Sequence, residues 1–246
     1  MKNITVLHIP HSSTFIPERF AGTFIRGKLD HEIDVMTDWF CGELFECGRD
    51  SVIFPVSRLV CDVERFADDE QEIMAKIGMG VTYRTASDLT PLREVGEWER
   101  KEIISRYYDR HHRAFTDLVE EKLKDFGRCL IVDCHSFYPA ALPYELCQEE
   151  DRPDFCIGTS EFHTPQRITD ALRLHLEGAG YSVRIDSPFA GTIVPMKFYG
   201  KDRRTASVMI EVNRKLYLEK PGIRNGRFAE IKRVLAECVA LAEEAL

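Results

Sequence analysis

The chain has 246 residues, of which 44% are hydrophobic and 30% charged, a composition typical of folded globular proteins rather than disordered or collagen-like ones. A chain of this length buries enough surface to fold without a disulfide or a structural metal. Its 41 acidic residues outnumber its 33 basic ones, and the resulting net charge of −8, with no basic stretch, argues against a nucleic-acid partner.

The chain begins with Met1–Ile9, which has one lysine and no apolar core long enough for a signal peptide. Later apolar runs are too short to span a membrane. We therefore expect a cytoplasmic protein without a membrane partner, whose eight cysteines are reduced thiols. These cysteines lack the C-x-x-C spacing of zinc or redox motifs, which favours packing roles in the core. The sequence indicates no particular oligomeric state.

Short apolar runs alternate with longer amphipathic segments along the rest of the chain. In order, the pattern predicts a strand over Ile4–Ile9, a helix over His31–Cys47, strands over Ser51–Val56 and Leu59–Val63, a helix over Glu94–Phe126, a strand over Cys129–Asp133, a helix over Pro165–Glu177, strands over Ser182–Ile185 and Ser207–Val212, and a helix over Arg227–Leu246.

This alternation predicts an α/β fold, a three-layer α/β/α sandwich around a mixed, mostly parallel central sheet. No internal repeat and no linker rich in Pro, Gly or Ser divides the chain, so we expect residues 1–246 to form a single domain. The segment Ala67–Glu94 is irregular and long enough to be a lid or a substrate loop.

Polar side chains follow or interrupt three of the predicted strands. His11 and Ser12 follow the first strand, His135 follows Cys129–Asp133, and Glu211 lies inside the apolar run MIEV. Each residue alone is a weak signal, because a histidine at a strand end is more often structural. A buried carboxylate is costly unless it is paired or functional, however, and the carboxyl ends of parallel strands meet at one edge of a sheet. Together they predict a site at that edge.

Zinc chemistry explains this combination, because a catalytic zinc takes three His or carboxylate ligands and keeps one position for water. His11 and His135 would be two ligands, and Glu211 would be the base that accepts the proton of the water. For the third ligand we favour Asp38, whose aromatic neighbours suggest burial, over Asp30 and Asp34, which fit a solvated helix face.

Seven motifs, in this order, cover nearly the whole chain: HIPHSSTFIP, MTDWF, SRLVCDVERFADD, VDCHSFYP, IGTSEFHTP, SPFAGTIVP and IEVNRKLYL. They resemble the N-formylglutamate amidohydrolases, relatives of the zinc carboxypeptidases. The resemblance implies a zinc-peptidase-like fold, one Zn²⁺ per chain at His11, Asp38 and His135, and Glu211 as general base. It also implies hydrolysis of N-formyl-L-glutamate to formate and glutamate, a reaction associated with histidine degradation.

The same resemblance places Arg65, in VCDVERF, on the α-carboxylate of a small N-acyl amino-acid substrate. The wider superfamily often has Asn where this chain has Glu64, and Thr14 stands where carboxypeptidases carry a ligand Glu. A second substrate carboxylate would need another arginine, because arginine offers a bidentate fork to each carboxylate. Arg58 and Arg214 are candidates for this role.

Other roles for these residues remain open. The arginines Arg58 and Arg65 could instead form structural ion pairs with Asp62 and Glu64, and Arg93 is an alternative partner for the second substrate carboxylate. Ser12 is a candidate donor to the oxyanion, and His163 is either a pocket residue or a packing residue.

Four alternative functions are considered. Cys134 beside His135 could suggest a thiol nucleophile, but adjacent strand residues point to opposite faces. Asp133, His135 and Ser136 could suggest a serine triad, but the chain has no G-x-S-x-G elbow. A third alternative is a deacylase or carboxypeptidase-like hydrolase that acts on another N-acyl amino acid or on a peptide. The fourth is a non-catalytic relative that binds a metal or a ligand.

Overall fold

The computed structural model describes residues 3–246, so the first two residues of the segment Met1–Ile9 lie outside it. The strands within the described chain are β1 (Thr5–Ile9), β2 (Asp50–Ile53), β3 (Cys129–Phe137), β4 (Phe155–Gly158), β5 (Val183–Ile185), β6 (Thr205–Asn213), β7 (Leu218–Lys220) and β8 (Ile223–Arg224). The α-helices are α1 (Glu18–Ala21), α2 (Leu29–Met36), α3 (Cys41–Leu44), α4 (Glu97–Ile103), α5 (Asp109–Phe126), α6 (Gln166–Gly178) and α7 (Phe228–Glu244).

The first six strands form one sheet in the order β2-β1-β3-β6-β4-β5. Strands β2, β1, β3 and β6 pair in parallel, whereas β4 runs antiparallel to β6 and parallel to β5. The predicted mixed, mostly parallel sheet is therefore confirmed. The antiparallel strand β4 was not predicted, because its four residues are too short for a clear apolar pattern.

Helices cover both faces of this sheet, which confirms the three-layer α/β prediction. Leu7, Val132 and Ile210 point toward α3, α6 and α7 and belong to the largest apolar cluster, whereas Val6 and Ile131 pack with α5 on the other face. The alternation arises because successive side chains of a strand point to opposite faces.

Three predicted elements differ from the structure. The segment Leu59–Val63 forms turns instead of a strand; its residues are buried because the chain packs against Val81, whose carbonyl accepts a hydrogen bond from Asp62 N. The predicted helix His31–Cys47 is divided into α2 and α3, because Asp38 N bonds His11 O and Phe40 has a φ of 63°. The predicted helix Glu94–Phe126 contains a π-helical turn at Ile104–Tyr108.

The irregular segment Ala67–Glu94 is packed rather than open. Its buried residues join a second apolar cluster, which includes Phe54, Leu59, Val60, Met79, Val81, Tyr83, Leu92 and Ile103. The eight cysteines all lie within the described residues, where none is in a disulfide and six are buried. No helix in residues 3–246 combines the length and the apolar character that a membrane crossing requires.

Candidate metal centre and active site

The candidate site lies at the carboxyl edge of the parallel strands, where it was predicted. His11 follows β1 by two residues, and His135 and Glu211 are directly paired across β3 and β6. Because side chains two apart on a strand share a face, Asp133 lies on the same side of β3 as His135. The side chains are almost completely buried, so their charges are poorly screened by solvent.

Three side chains bring potential ligand atoms together. His11, Glu64 and His135 each offer one atom, and these atoms lie within 4.8 Å of one another. Glu64 Oε1 is 3.1 Å from His135 Nε2, and Glu64 Oε2 is 3.7 Å from His11 Nδ1. His11 Nδ1 is buried and has no hydrogen-bond partner within the described chain. An unpaired buried nitrogen is costly, and two imidazoles with one carboxylate are a donor set that suits Zn²⁺.

A buried carboxylate lies behind each imidazole ring. His11 Nε2 donates to Asp62 Oδ1 at 2.9 Å, and His135 Nδ1 donates to Asp38 Oδ2 at 3.1 Å. Metal-binding histidines are commonly oriented in this way by a carboxylate on the second ring nitrogen. The predicted ligand Asp38 contacts Nδ1 of His135, and its Oδ2 also lies 3.9 Å from His11 Nδ1. Glu64 faces the opposite nitrogen of His135.

Asp38 is itself held by other groups. Arg214 Nη2 donates to Asp38 Oδ1 at 2.8 Å, and Ser136 N donates to Asp38 Oδ2 at 3.3 Å. Arg214 also donates to the carbonyl oxygens of Ser136, at 3.0 Å, and of Val35. The guanidinium of Arg214, predicted to contact substrate, is thus largely engaged in fixing Asp38, although the residue lines the cavity of the site.

Glu211 faces the same cavity, which has a volume of about 170 Å³ and is also lined by His11 and His135. The side chain is 7% exposed, and its Oε2 has no hydrogen-bond partner among the described residues. Burial raises the pKa of Glu211 to about 8. A carboxylate with a raised pKa and a free oxygen can accept a proton and return it near neutral pH.

The charges around the centre favour a cation. Burial alone would lower the pKa of His135, but the carboxylates of Glu64 and Asp133 outweigh it and hold this pKa well above its usual value. Asp133 Oδ1 lies 3.1 Å from His135 Nε2, and it also accepts a hydrogen bond from His8 Nδ1 at 2.9 Å. The acidic surroundings therefore attract positive charge to the centre.

The predicted substrate arginines differ in how far the protein already uses them. Arg58 donates to Asp62 Oδ2 at 2.8 Å and to the Tyr83 hydroxyl at 3.2 Å. Arg65 has a longer ion pair, with 3.7 Å between its Nε and Asp62 Oδ2, and this Nε forms no hydrogen bond within residues 3–246. Both arginines line the cavity, and Arg65 has the greater capacity to bind an added anion.

Two comparisons identify the relatives of this chain. The family model described as N-formylglutamate amidohydrolase matches residues 4–218. The chain belongs to this family. A crystal structure of N-formylglutamate amidohydrolase from Ralstonia eutropha JMP134 aligns with a TM-score of 0.83 and 24% identity, over 99% of this chain and 94% of that one. A gene product from Agrobacterium tumefaciens aligns with a TM-score of 0.71 and 21% identity, over 98% and 90%. No curated protein matches significantly.

Membership in the N-formylglutamate amidohydrolase family implies amidohydrolase activity, and it agrees with the resemblance found in the sequence.

Several of the candidate residues named from the sequence lie away from the metal centre. His163 accepts from Gly200 N and donates to Thr205 O, and Arg93 donates to the carbonyls of Tyr83 and Val60. Ser12 is not among the described residues that line the cavity beside His11.

Sequence reasoning did not assign a metal role to Glu64 or an orienting role to Asp62. Both lie in the segment that the apolar pattern predicted as a strand and its end. The available signal was similar to the one that identified Glu211, namely a carboxylate within an apolar run, because Asp62 lies between Leu-Val-Cys and Val63.

Proposed function

We propose that this member of the N-formylglutamate amidohydrolase family is a zinc-dependent enzyme that hydrolyses the N-acyl amide of an acidic amino acid. With N-formyl-L-glutamate the products would be formate and glutamate. The observation that carries this proposal is the convergence of His11, Glu64 and His135 beside the unpaired carboxylate oxygen of Glu211.

We assign the metal ligands as His11, Glu64 and His135, with Asp38 and Asp62 as the carboxylates that orient the two rings. This assignment replaces Asp38 by Glu64, because the ligand atoms of Glu64, His11 and His135 lie within 4.8 Å of one another, whereas Asp38 is held by Arg214 and Ser136. A zinc ion held there would polarise the amide carbonyl and increase the acidity of water.

Glu211 supplies the proton transfers. Its carboxylate accepts a proton from the attacking water, whose oxygen forms a bond with the acyl carbon. Glu211 then donates that proton to the amide nitrogen as the C–N bond breaks, which releases the amino acid and the carboxylic acid. The pairing of His135 with Glu211 keeps this carboxylate beside the metal ligands.

The arginines orient the substrate by its carboxylates. Arg65 binds the α-carboxylate, because its guanidinium is the least committed to protein partners. Arg58 and Arg214 also line the cavity of the site and supply additional positive charge, and Arg214 does so while holding Asp38.

Metal analysis combined with a substrate assay tests the proposal. The purified protein should contain about one zinc per chain and hydrolyse N-formyl-L-glutamate. A chelator should remove the zinc and abolish the hydrolysis, and added Zn²⁺ should restore both. His11→Ala should lose the metal, whereas the exposed His31→Ala is the matched control and should keep it. A folded protein that binds no zinc, or a zinc-loaded protein that releases no amino acid from any N-acyl substrate, would contradict it.

A further inference from the structure

A second, larger cavity adjoins the candidate site. It has a volume of about 300 Å³, and we refer to it as the larger cavity and to the one beside His11 and Glu211 as the smaller cavity. The two cavities share four lining residues, Glu64, Arg65, Ala190 and Met209. A substrate whose amide lies at Glu64 can therefore extend into both.

The linings of the two cavities differ in chemistry. The smaller cavity contains both imidazoles, Glu211 and all three candidate substrate arginines. The larger cavity has one apolar wall, formed by Val63, Phe66, Tyr108, Ile193, Val194, Met196 and Tyr199, beside polar residues that include His112, Asp133 and Thr192. An apolar wall combined with polar groups is typical of small-molecule sites.

Three of these apolar side chains are exposed to solvent at the larger cavity. Phe66 is 45% exposed, Met196 60% and Tyr199 50%. Clustered exposed apolar groups beside a cavity commonly mark a surface that a ligand covers. A formyl group places only a hydrogen atom on the acyl carbon, so the hydrolysis of N-formylglutamate leaves this surface without a role.

We propose that the larger cavity binds an apolar acyl group bigger than formyl, so that the substrates include N-acyl amino acids with aliphatic or aromatic acyl chains. This inference rests on the proposed amidohydrolase function and specifies its substrate class. In the reaction, the hydroxyl of water joins the acyl carbon, its proton goes to the amide nitrogen, and the products are an apolar carboxylic acid and a free amino acid.

Charge determines which half of the substrate enters which cavity. The amino-acid half carries at least one carboxylate. Arg65 lines both cavities, whereas Arg58 and Arg214 line the smaller cavity alone and add positive charge there. Apart from Arg65, the charged side chains of the larger cavity are the carboxylates of Glu64 and Asp133, so it offers an anionic group less positive charge but accepts a neutral chain. The acyl half is therefore the half that fits the larger cavity.

A series of N-acyl-L-glutamates tests this inference in the zinc-loaded enzyme. We expect kcat/KM to rise from formyl through acetyl and butyryl to hexanoyl, by about fourfold for each methylene that becomes buried. A steady fall of kcat/KM from formyl to hexanoyl would overturn the inference while leaving the proposed function intact. Absence of turnover with every member, formyl included, would instead contradict the proposed function itself.

A second series varies the amino acid with the formyl group held constant. If the larger cavity received the amino-acid side chain, N-formyl-phenylalanine would be a better substrate than N-formyl-glutamate. That result would overturn the inference. We expect N-formyl-phenylalanine to be the poorer substrate, because its ring would have to enter the charged smaller cavity.

A charge placed at the rim provides a test in the protein. Met196→Glu puts a carboxylate beside the larger cavity at an exposed position, so folding should be retained. Leu174→Glu, on α6 at 63% exposure and away from both cavities, is the matched control. We expect the hexanoyl-to-formyl ratio of kcat/KM to fall at least tenfold in Met196→Glu and to stay constant in Leu174→Glu. An unchanged ratio in both variants would overturn the inference.

Discussion

The candidate active site is assembled from two regions that are stabilised in different ways. His135 and Glu211 lie on adjacent central strands, where nine residue pairs of the β3–β6 ladder fix their positions. Asp62, Glu64 and Arg65 lie in turns after β2, and side chains hold this segment in place: His112 Nε2 donates to Val63 O at 2.8 Å, and the Tyr83 hydroxyl donates to Asp62 at 2.6 Å. The strand region places groups by backbone pairing, and the turn region places them by tertiary contacts.

The largest effect is expected in the strand region. Glu211→Gln should lower kcat by about 10²- to 10⁴-fold with zinc still bound, because an amide cannot accept the proton of the attacking water. Steady-state kinetics on the zinc-loaded variant measure the loss, and metal analysis checks the occupancy. The exposed Glu219→Gln, on β7, is the control. Near-normal turnover in Glu211→Gln would assign the base to another residue.

In the turn region, Glu64→Gln should weaken zinc binding more than Asp38→Asn does. Loss of an orienting carboxylate typically lowers metal affinity by 10- to 100-fold. We expect the removal of a ligand to lower it by more than this. Competition with a chelator of known affinity measures both variants. If Asp38→Asn has the greater effect, the sequence-based ligand set of His11, Asp38 and His135 is the better one.

Two arginines of the turn region should differ when each is replaced by lysine. Arg65→Lys should lower kcat/KM by roughly 10- to 100-fold for substrates with a free α-carboxylate, because the planar two-donor fork becomes a point charge. The loss should shrink for the corresponding α-amides. Arg58→Lys should instead lower the melting temperature and affect both substrate types equally, since Arg58 pairs with buried Asp62. Equal losses for acids and amides in Arg65→Lys would indicate a structural role.

The smallest effect is expected for the neighbour of His135 on the same strand. Cys134 points to the opposite, apolar face, where its thiol donates to Val132 O at 3.2 Å and burial raises its pKa. Cys134→Ala should leave kcat/KM within about twofold and reduce the free energy of unfolding by about 1 kcal/mol. Denaturant titration and kinetics measure the two quantities. A large loss of activity would revive the thiol-nucleophile interpretation.

The contrast between the two regions also explains how much the sequence predicted. The long apolar runs of β3 and β6 and the periodic helices α5, α6 and α7 predicted the fold class. The strand ends predicted His11 and His135, and a carboxylate inside an apolar run predicted Glu211. The role of Glu64 depends on a turn that brings the chain back to the edge of the sheet. Apolar periodicity predicts helices and strands, but it does not predict the path of such a turn. The division between α2 and α3 likewise depends on the hydrogen bond from Asp38 N to His11 O, between residues 27 apart in the chain.

The register of β3 against β6 has a consequence for how the length of this chain can vary among relatives. One residue inserted or deleted in the first half of β6 would turn Glu211 toward the apolar face and bring a neighbouring apolar side chain to His135. Insertions and deletions should therefore be excluded from these two strands and concentrate in connections such as 138–154 and 186–204. Because residues of both connections line the cavities, length variation would reshape the cavity walls while the ladder of the reaction centre stays in register.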